Sequence, residues 1–401
     1  MWLAMWPSRK IKHFLCKEWI KRYKRSYSEY PETNLKNHGL KLNIYEVETE
    51  DGYVLEIHRL VEANGKKDEN NKNNPVVLLQ HGMWGTSKNW LIQKPEESIC
   101  LNLLKQGCDI WLGNTRGNTY SRKHKRWNHD DKDYWDFSFH EMGYYDLPAM
   151  IDFILKNSHS DSLHYIGHSQ GSTIMFVMQC TRPEFNGKIA SITGLAPVVY
   201  LYHINKKLLK FVSSSFPNLT KIIENFGYYK FGIPQDKFGN IEQIMESNQY
   251  KLTKVLAPAV AYNMSTFLSD YVKQNVTSLI LGQLYAGATT KQLSHFGQFI
   301  KQDKFCQFDY GVRKNIAKYG HAKPPEYCLN NVSSPTTLFY SDGDWLTNSK
   351  DINKLCMMLP NLRACKKIPI KEFDHMDYLW SGICTEYILK EIYLYIIDHN
   401  K

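Results

Sequence analysis

The stretch LHYIGHSQGSTIMFVM, residues 163–178, sets a serine between two glycines, after one apolar run and before a longer one. Leu163, Tyr165 and Ile166 read as a buried strand, and Ser172–Cys180 as a helix with Ile174, Met175 and Met178 on one face. Between them, Gly167-His168-Ser169-Gln170-Gly171 fits G-x-S-x-G. A strand that turns at once into a helix strains the residue at its apex. The flanking positions must lack side chains, because the strand end and helix start nearly touch. The apex serine is thrust out of the sheet edge, towards the partial positive charge of the helix N-terminus. A serine alone is inert. It needs a base, an orienting acid and an oxyanion hole.

The surrounding elements give the scaffold. Ile44–Glu48 and Tyr53–Leu60 alternate about Glu50-Asp51-Gly52, which predicts a hairpin with a D-G turn. The polar stretch Asn64–Asn74 is expected to be an exposed hairpin loop, and Val76–Gln80 and Cys108–Leu112 read as short strands. A helix is expected over Glu141–Lys156, kinked or restarted at Pro148. After the serine unit come a strand at Ile189–Leu195 and, much later, a strand at Thr336–Tyr340. The chain then closes with a helix at Lys350–Met358, a strand at Lys367–Ile370 and a helix at Ile383–Ile397. Alternating strands and helices mean a mostly parallel sheet covered on both faces, with ligands beyond the carboxyl ends of the strands. Residues 198–323 break this rhythm and read as a mainly helical inserted cap. The expected division is a basic N-terminal extension over residues 1–39, a first core part over 40–197, the cap over 198–323, and a second core part over 324–401.

Topology then places the partners of the serine. His375 lies after the last strand, at the same sheet edge, and is the expected base. The acid should fall between serine and histidine in the chain, where Ser341-Asp342-Gly343-Asp344 follows a strand. Asp342 and Asp344 both qualify. Asp344, beyond the glycine that lets the chain turn, is preferred. One oxyanion donor is the N–H of Gln170, after the serine. The other is expected at Met83, in the Gln80-His81-Gly82-Met83-Trp84-Gly85 loop that follows a strand.

Composition bounds the rest. The chain has 401 residues and a net charge of +10, and residues 1–30 carry eight Lys/Arg against two Glu. The body is therefore nearly neutral, which excludes nucleic acid as an expected partner. Ile11, Phe14, Leu15 and Trp19 fall on one face of a helix ringed by Lys12, Lys17, Lys21 and Arg22. Such a helix suits an anionic membrane or a lipid-droplet surface, and it also shares the features of a mitochondrial presequence. Nine cysteines without C-x-x-C argue against a zinc site and against a disulfide framework, leaving mostly buried thiols and at most one bridged pair.

The chain resembles the acid lipase family of α/β-hydrolases, the group of gastric lipases and lysosomal acid lipase. The likeness runs through VETEDGYVLEIHR, VVLLQHGMWGTSKNW, DIWLGNTRGNTYSR, FSFHEMGYYDLPAMIDFIL, LHYIGHSQGS, LAPV, SDGDW and DHMDYLW, in family order from about Leu40 onward. It implies Ser169 as nucleophile, Asp344 as acid, His375 as base, and Met83 and Gln170 at the oxyanion hole. It also implies hydrolysis of long-chain acylglycerols or sterol esters in a lysosomal or secreted setting. Two features depart from the family. The N-terminus lacks a good signal peptide, and no cysteine lies between Cys180 and Cys306 in the cap. Sequons occur at Asn218, Asn263, Asn275 and Asn331.

The expected protein is a monomeric lipid-ester hydrolase that needs neither cofactor nor metal. Its acyl groove would come from Phe211, Phe216, Ile222, Ile223, Phe226, Tyr228, Tyr229 and Phe231 of the cap. Two other functions fit the same scaffold. One is an acyltransferase, disfavoured because no H-x4-D occurs in the chain. The other is a non-catalytic structural or lipid-binding subunit, disfavoured because all three triad residues are present.

Overall fold

The computed structural model describes residues 30–64, 74–204, 229–231, 286–382 and 385–398. The basic N-terminal helix lies outside the described residues, as do the cap aromatics before Tyr229. Among the described residues no helix is long and apolar enough to cross a membrane.

A short helix α1 (Tyr30–Asn37) leads into β1 (Leu40–Glu48) and β2 (Tyr53–Glu62), paired antiparallel about the Asp51-Gly52 turn. Leu35 of α1 is buried on the core, and Lys88 ion-pairs with Glu32, so this part of the N-terminal segment packs on the body. Then follow β3 (Val76–Gln80), α2 (Ile99–Lys105), β4 (Asp109–Gly113), the two-residue β5 (Lys123–His124), α3 (Leu147–Ser158), β6 (Leu163–His168), α4 (Gln170–Thr181) and β7 (Ile189–Leu195). The short β8 (Lys230–Phe231) and β9 (Ala288–Thr289) form a separate ribbon. The chain continues through α5 (Thr290–Lys301), α6 (Val312–Tyr319), β10 (Thr336–Tyr340), α7 (Ser349–Met358), β11 (Leu362–Lys367) and α8 (Lys390–Asp398).

The main sheet runs β1-β2-β4-β3-β6-β7-β10-β11, with β5 beside β2. It is parallel from β4 to β11. The strands that read as continuous apolar runs are buried on both faces. Val76, Leu78, Trp111 and Tyr165 face one apolar cluster, while Val77, Leu79, Leu112 and Ile166 face the other. This is the two-residue period of a strand expressed in two cores at once. Because β3 has β4 on one side and β6 on the other, chain direction across the sheet reverses there. The loops after β3 and β6 therefore flank a crevice at the carboxyl edge.

Three expectations need correction. Residues 64–74 do not close a hairpin, because β2 and β3, which they connect, are not paired: β4 lies between them. The helix expected over 141–156 is broken. A capped turn at Phe139–Glu141 passes through a π turn at Met142–Asp146 before α3 starts at Leu147. Pro148 offers no N–H to a helix ladder, and the wider turn before it absorbs that loss. The last strand spans Leu362–Lys367 rather than Lys367–Ile370. Among the described residues it pairs only with β10, so it is an edge strand, and Arg363, Lys366 and Lys367 are exposed on it. Pro369, without an N–H, cannot extend the pairing past Ile368.

Seven of the cysteines lie among the described residues, and all are free thiols. Cys356 of α7 and Cys365 of β11 bring their sulfur atoms to 2.7 Å.

Candidate active site

Ser169 stands between β6 and α4 with φ 56° and ψ −121°, a left-handed conformation that a side chain normally avoids. The elbow admits nothing larger at its flanks. A Cβ on Gly167 would come within 2.7 Å of the backbone of Gly171 and Ser172, and one on Gly171 within 2.5 Å of the Gln80 carbonyl oxygen. The Ser169 N–H donates to Leu195 O at 2.9 Å, which fixes the apex to β7. All of the first ten residues of α4 are buried, so the helix cannot tilt away from the sheet.

His375 comes to this elbow from the loop after β11. Its carbonyl accepts a 2.8 Å hydrogen bond from Nε2 of His168, the residue before Ser169, and the two rings lie 4.9 Å apart. Its Nδ1 meets Asp344 Oδ2 at 2.8 Å, with both side chains buried. The other carboxylate oxygen of Asp344 accepts the N–H groups of Leu346 at 2.7 Å and Thr347 at 3.0 Å. Burial alone would raise this carboxyl. The charge and hydrogen bond of His375, with the two N–H groups, outweigh burial and hold it below the usual carboxylate range. Asp342, the alternative acid, instead points into solvent and pairs with Lys367. The geometry thus separates two aspartates that the local sequence leaves nearly equivalent.

The loop after β3 closes the other side. A Cβ on Gly82 would lie 3.0 Å from Ser169 Cβ, so the backbone leading into Met83 abuts the serine. Gly85 N–H donates to Gly82 O at 3.1 Å, and Trp84 takes φ 57°, so the turn around Met83 is tightly folded. His81 pins it: Nδ1–H donates to Gly82 O at 2.7 Å, while Nε2 accepts from Thr115 N–H and Asn118 Nδ2. Gln170 begins α4, beside the serine, with its side chain buried.

The chain matches the α/β hydrolase fold over residues 75–381, and a partial α/β-hydrolase lipase region over residues 32–94. It is 34% identical over 363 residues to gastric triacylglycerol lipase of Homo sapiens, covering 89% of this chain and 88% of that one. It is also 34% identical to lysosomal acid lipase/cholesteryl ester hydrolase of Macaca fascicularis, with 88% of each chain covered. It belongs to the acid lipase family of α/β-hydrolases. Lipase 1 of Drosophila melanogaster is 36% identical, over 86% of this chain and 74% of that one. The fold is shared with a monoglyceride lipase from Saccharomyces cerevisiae at a TM-score of 0.52 and 14% identity, over 90% of this chain and 97% of that one.

Sequence reasoning about this acid lipase missed the residues that hold the site in place. His168 tethers the His375 loop and His81 shapes the Gly82 turn. Trp345 packs 5.8 Å from the His375 ring, and Gln292 reaches Gln170 from α5. Three of these, His81, His168 and Trp345, fall within quoted motifs, but none carries a spacing signal of its own.

The buried histidines also give the acid lipase an acid-side liability. Burial pushes His81 down to about 4, and His168 and His295 down to about 3. A histidine whose folded pKa is depressed binds its proton more readily when unfolded, so stability falls as pH drops below the unfolded value. Asp146 opposes by one proton, since burial raises it to about 6 against the pull of Arg116. His140 is lowered by burial as well, so on unfolding the histidines take up more protons than Asp146 releases, and stability is expected to fall as pH drops from about 6. Urea midpoints at pH 6.5, 5.5 and 4.5 measure this slope. A flat profile would show that the histidines are already protonated in the folded state.

Proposed function

We propose that this acid lipase hydrolyses carboxylic esters of lipids, acylglycerols or sterol esters, by acyl transfer through Ser169. Its relatives bear the names triacylglycerol lipase and cholesteryl ester hydrolase. The buried 2.8 Å contact between His375 Nδ1 and Asp344, beside a serine held at positive φ, is the observation that carries the reading. With Nδ1 engaged by the carboxylate, His375 Nε2 is the nitrogen left to take the Ser169 proton as Oγ attacks the ester carbonyl. The N–H groups of Gln170 and Met83 receive the negative charge that develops on the carbonyl oxygen, each worth about 3 kcal/mol of barrier. The protonated imidazole, stabilised by Asp344, then gives its proton to the departing alcohol. Water, deprotonated by the same ring, attacks the acyl-enzyme and regenerates Ser169. Release of fatty acid from emulsified triacylglycerol and from a cholesteryl ester by the purified protein tests this reading. No turnover on either would end it.

The cap over residues 198–323 is the proposed source of the acyl groove, and a lysosomal or secreted setting fits the gastric and lysosomal relatives. The exposed sequon at Asn331 fits the same setting. Residues 1–28 are proposed to hold the enzyme at an anionic lipid surface. Their removal is expected to reduce co-sedimentation with anionic liposomes at low salt, and to leave turnover of a soluble short-chain ester nearly unchanged. Equal sedimentation with and without the segment would remove the membrane role.

A further inference from the structure

Gln170 has two distinct ends. Its backbone N–H is the oxyanion donor of the proposed function, and its side chain is committed elsewhere. The side-chain oxygen accepts a 3.0 Å hydrogen bond from Nε2 of Gln292, and its own Nε2 points at Met142 Sδ, 3.4 Å away. Both glutamines are 2% exposed.

Gln292 is equally constrained. It is the third residue of α5 and closes a capping box: its Oε1 accepts the Thr289 N–H at 3.0 Å, and its own N–H donates to Thr289 Oγ1 at 2.9 Å. Thr289 Oγ1 in turn donates to Phe137 O at 2.7 Å. One face of the Gln292 carboxamide is therefore locked to its own helix start, and the other reaches the residue after the serine. Its Nε2 is spent on buried partners, Gln170 Oε1, 122 residues away in sequence, and Met142 Sδ at 3.8 Å.

We infer that Gln292 is a positioning residue for the oxyanion hole, tying α5 to the first residue of α4 so that the Gln170 N–H keeps its aim. The inference rests on the proposed function. An oxyanion donor helps only while it points at the place where the charge forms, and a loosened supporting shell costs catalysis without touching substrate. The link also joins a helix within the proposed cap to the centre of the site. An acid lipase whose α5 shifts would lose oxyanion stabilisation.

The experiment compares Gln292→Met, Gln170→Met, their double variant and Thr289→Ala, with p-nitrophenyl butyrate as a soluble substrate. Met keeps the length of the side chain and removes the amide, and Gln170→Met leaves the backbone N–H in place. Gln292→Met is expected to lower kcat about 10-fold with KM little changed, a fraction of the roughly 10²–10³ lost with a whole donor. Gln170→Met should match it, and the double variant should be no worse than either single. Thr289→Ala breaks the cap but spares the Gln170 contact, so it should lower the melting temperature and keep kcat. Normal kcat in Gln292→Met, losses that multiply in the double variant, or an equal kcat loss in Thr289→Ala would each overturn the inference. Ser169→Ala, run alongside, separates the two levels. If it is inactive the function stands, and only the positioning role is at stake. If it is active, both fall.

Discussion

Ser169→Ala is expected to lower kcat for ester hydrolysis by about 10⁶, the scale on which a serine hydrolase loses its nucleophile. The fold should survive. Ser169 contributes its N–H to Leu195 O through the backbone, which alanine retains. Its side chain is not needed to cap α4, for which no side-chain capping bond is made. The residual rate should remain above that of water, because both oxyanion N–H groups persist. Hydrolysis of p-nitrophenyl butyrate, with circular dichroism melts of both proteins, measures the two halves of this expectation. A folded variant that keeps a tenth or more of the activity would show that the acyl group goes elsewhere.

Asp344→Asn should cost about 10⁴ in kcat, while Asp342→Asn should cost almost nothing. The size follows from which atoms are already taken. One oxygen of Asp344 accepts two backbone N–H groups, from Leu346 and Thr347. An asparagine must keep its oxygen there, so its NH₂ turns towards His375 Nδ1. That nitrogen must then accept rather than donate, which moves the ring proton to Nε2. A ring with its proton on Nε2 cannot take another from Ser169. Asp342 touches nothing in the site, being half exposed and paired with Lys367. Kinetics on both variants decides the matter. Small and equal losses would mean that His375 is oriented by something else.

The elements that carry this site were readable because each joins a strong local signal to a topological rule. The run from Val76 to Leu79 is apolar throughout because it is buried on both faces, and it ends at the buried Gln80. Gly167 and Gly171 announce the elbow because contacts of 2.7 and 2.5 Å would exclude any other residue. Strand β11 was misplaced for the opposite reason. An edge strand has one partner and one wet side, so Arg363, Lys366 and Lys367 hide it, while Ile368 and Ile370 beyond it imitate a strand. The π turn at Met142–Asp146 leaves no mark in the apolar spacing either. Its added residue is tolerated because Gly143 lies where a Cβ would strike Ile174 O at 2.6 Å. Contacts such as His168 with His375, or Gln292 with Gln170, join side chains from distant parts of the chain, and no local pattern encodes them.

The positive φ of Ser169 has a consequence for the protein's history as well as its chemistry. A side chain held in that region costs roughly 1–2 kcal/mol, and glycine alone would occupy it freely. The backbone here is thus better suited to a residue that cannot do chemistry. Any search for a more heat-resistant form that scored folding alone would drift towards glycine at position 169 and arrive at a sturdier, silent protein. Only a search that also scored turnover would keep the serine, at the cost of the strain its backbone carries.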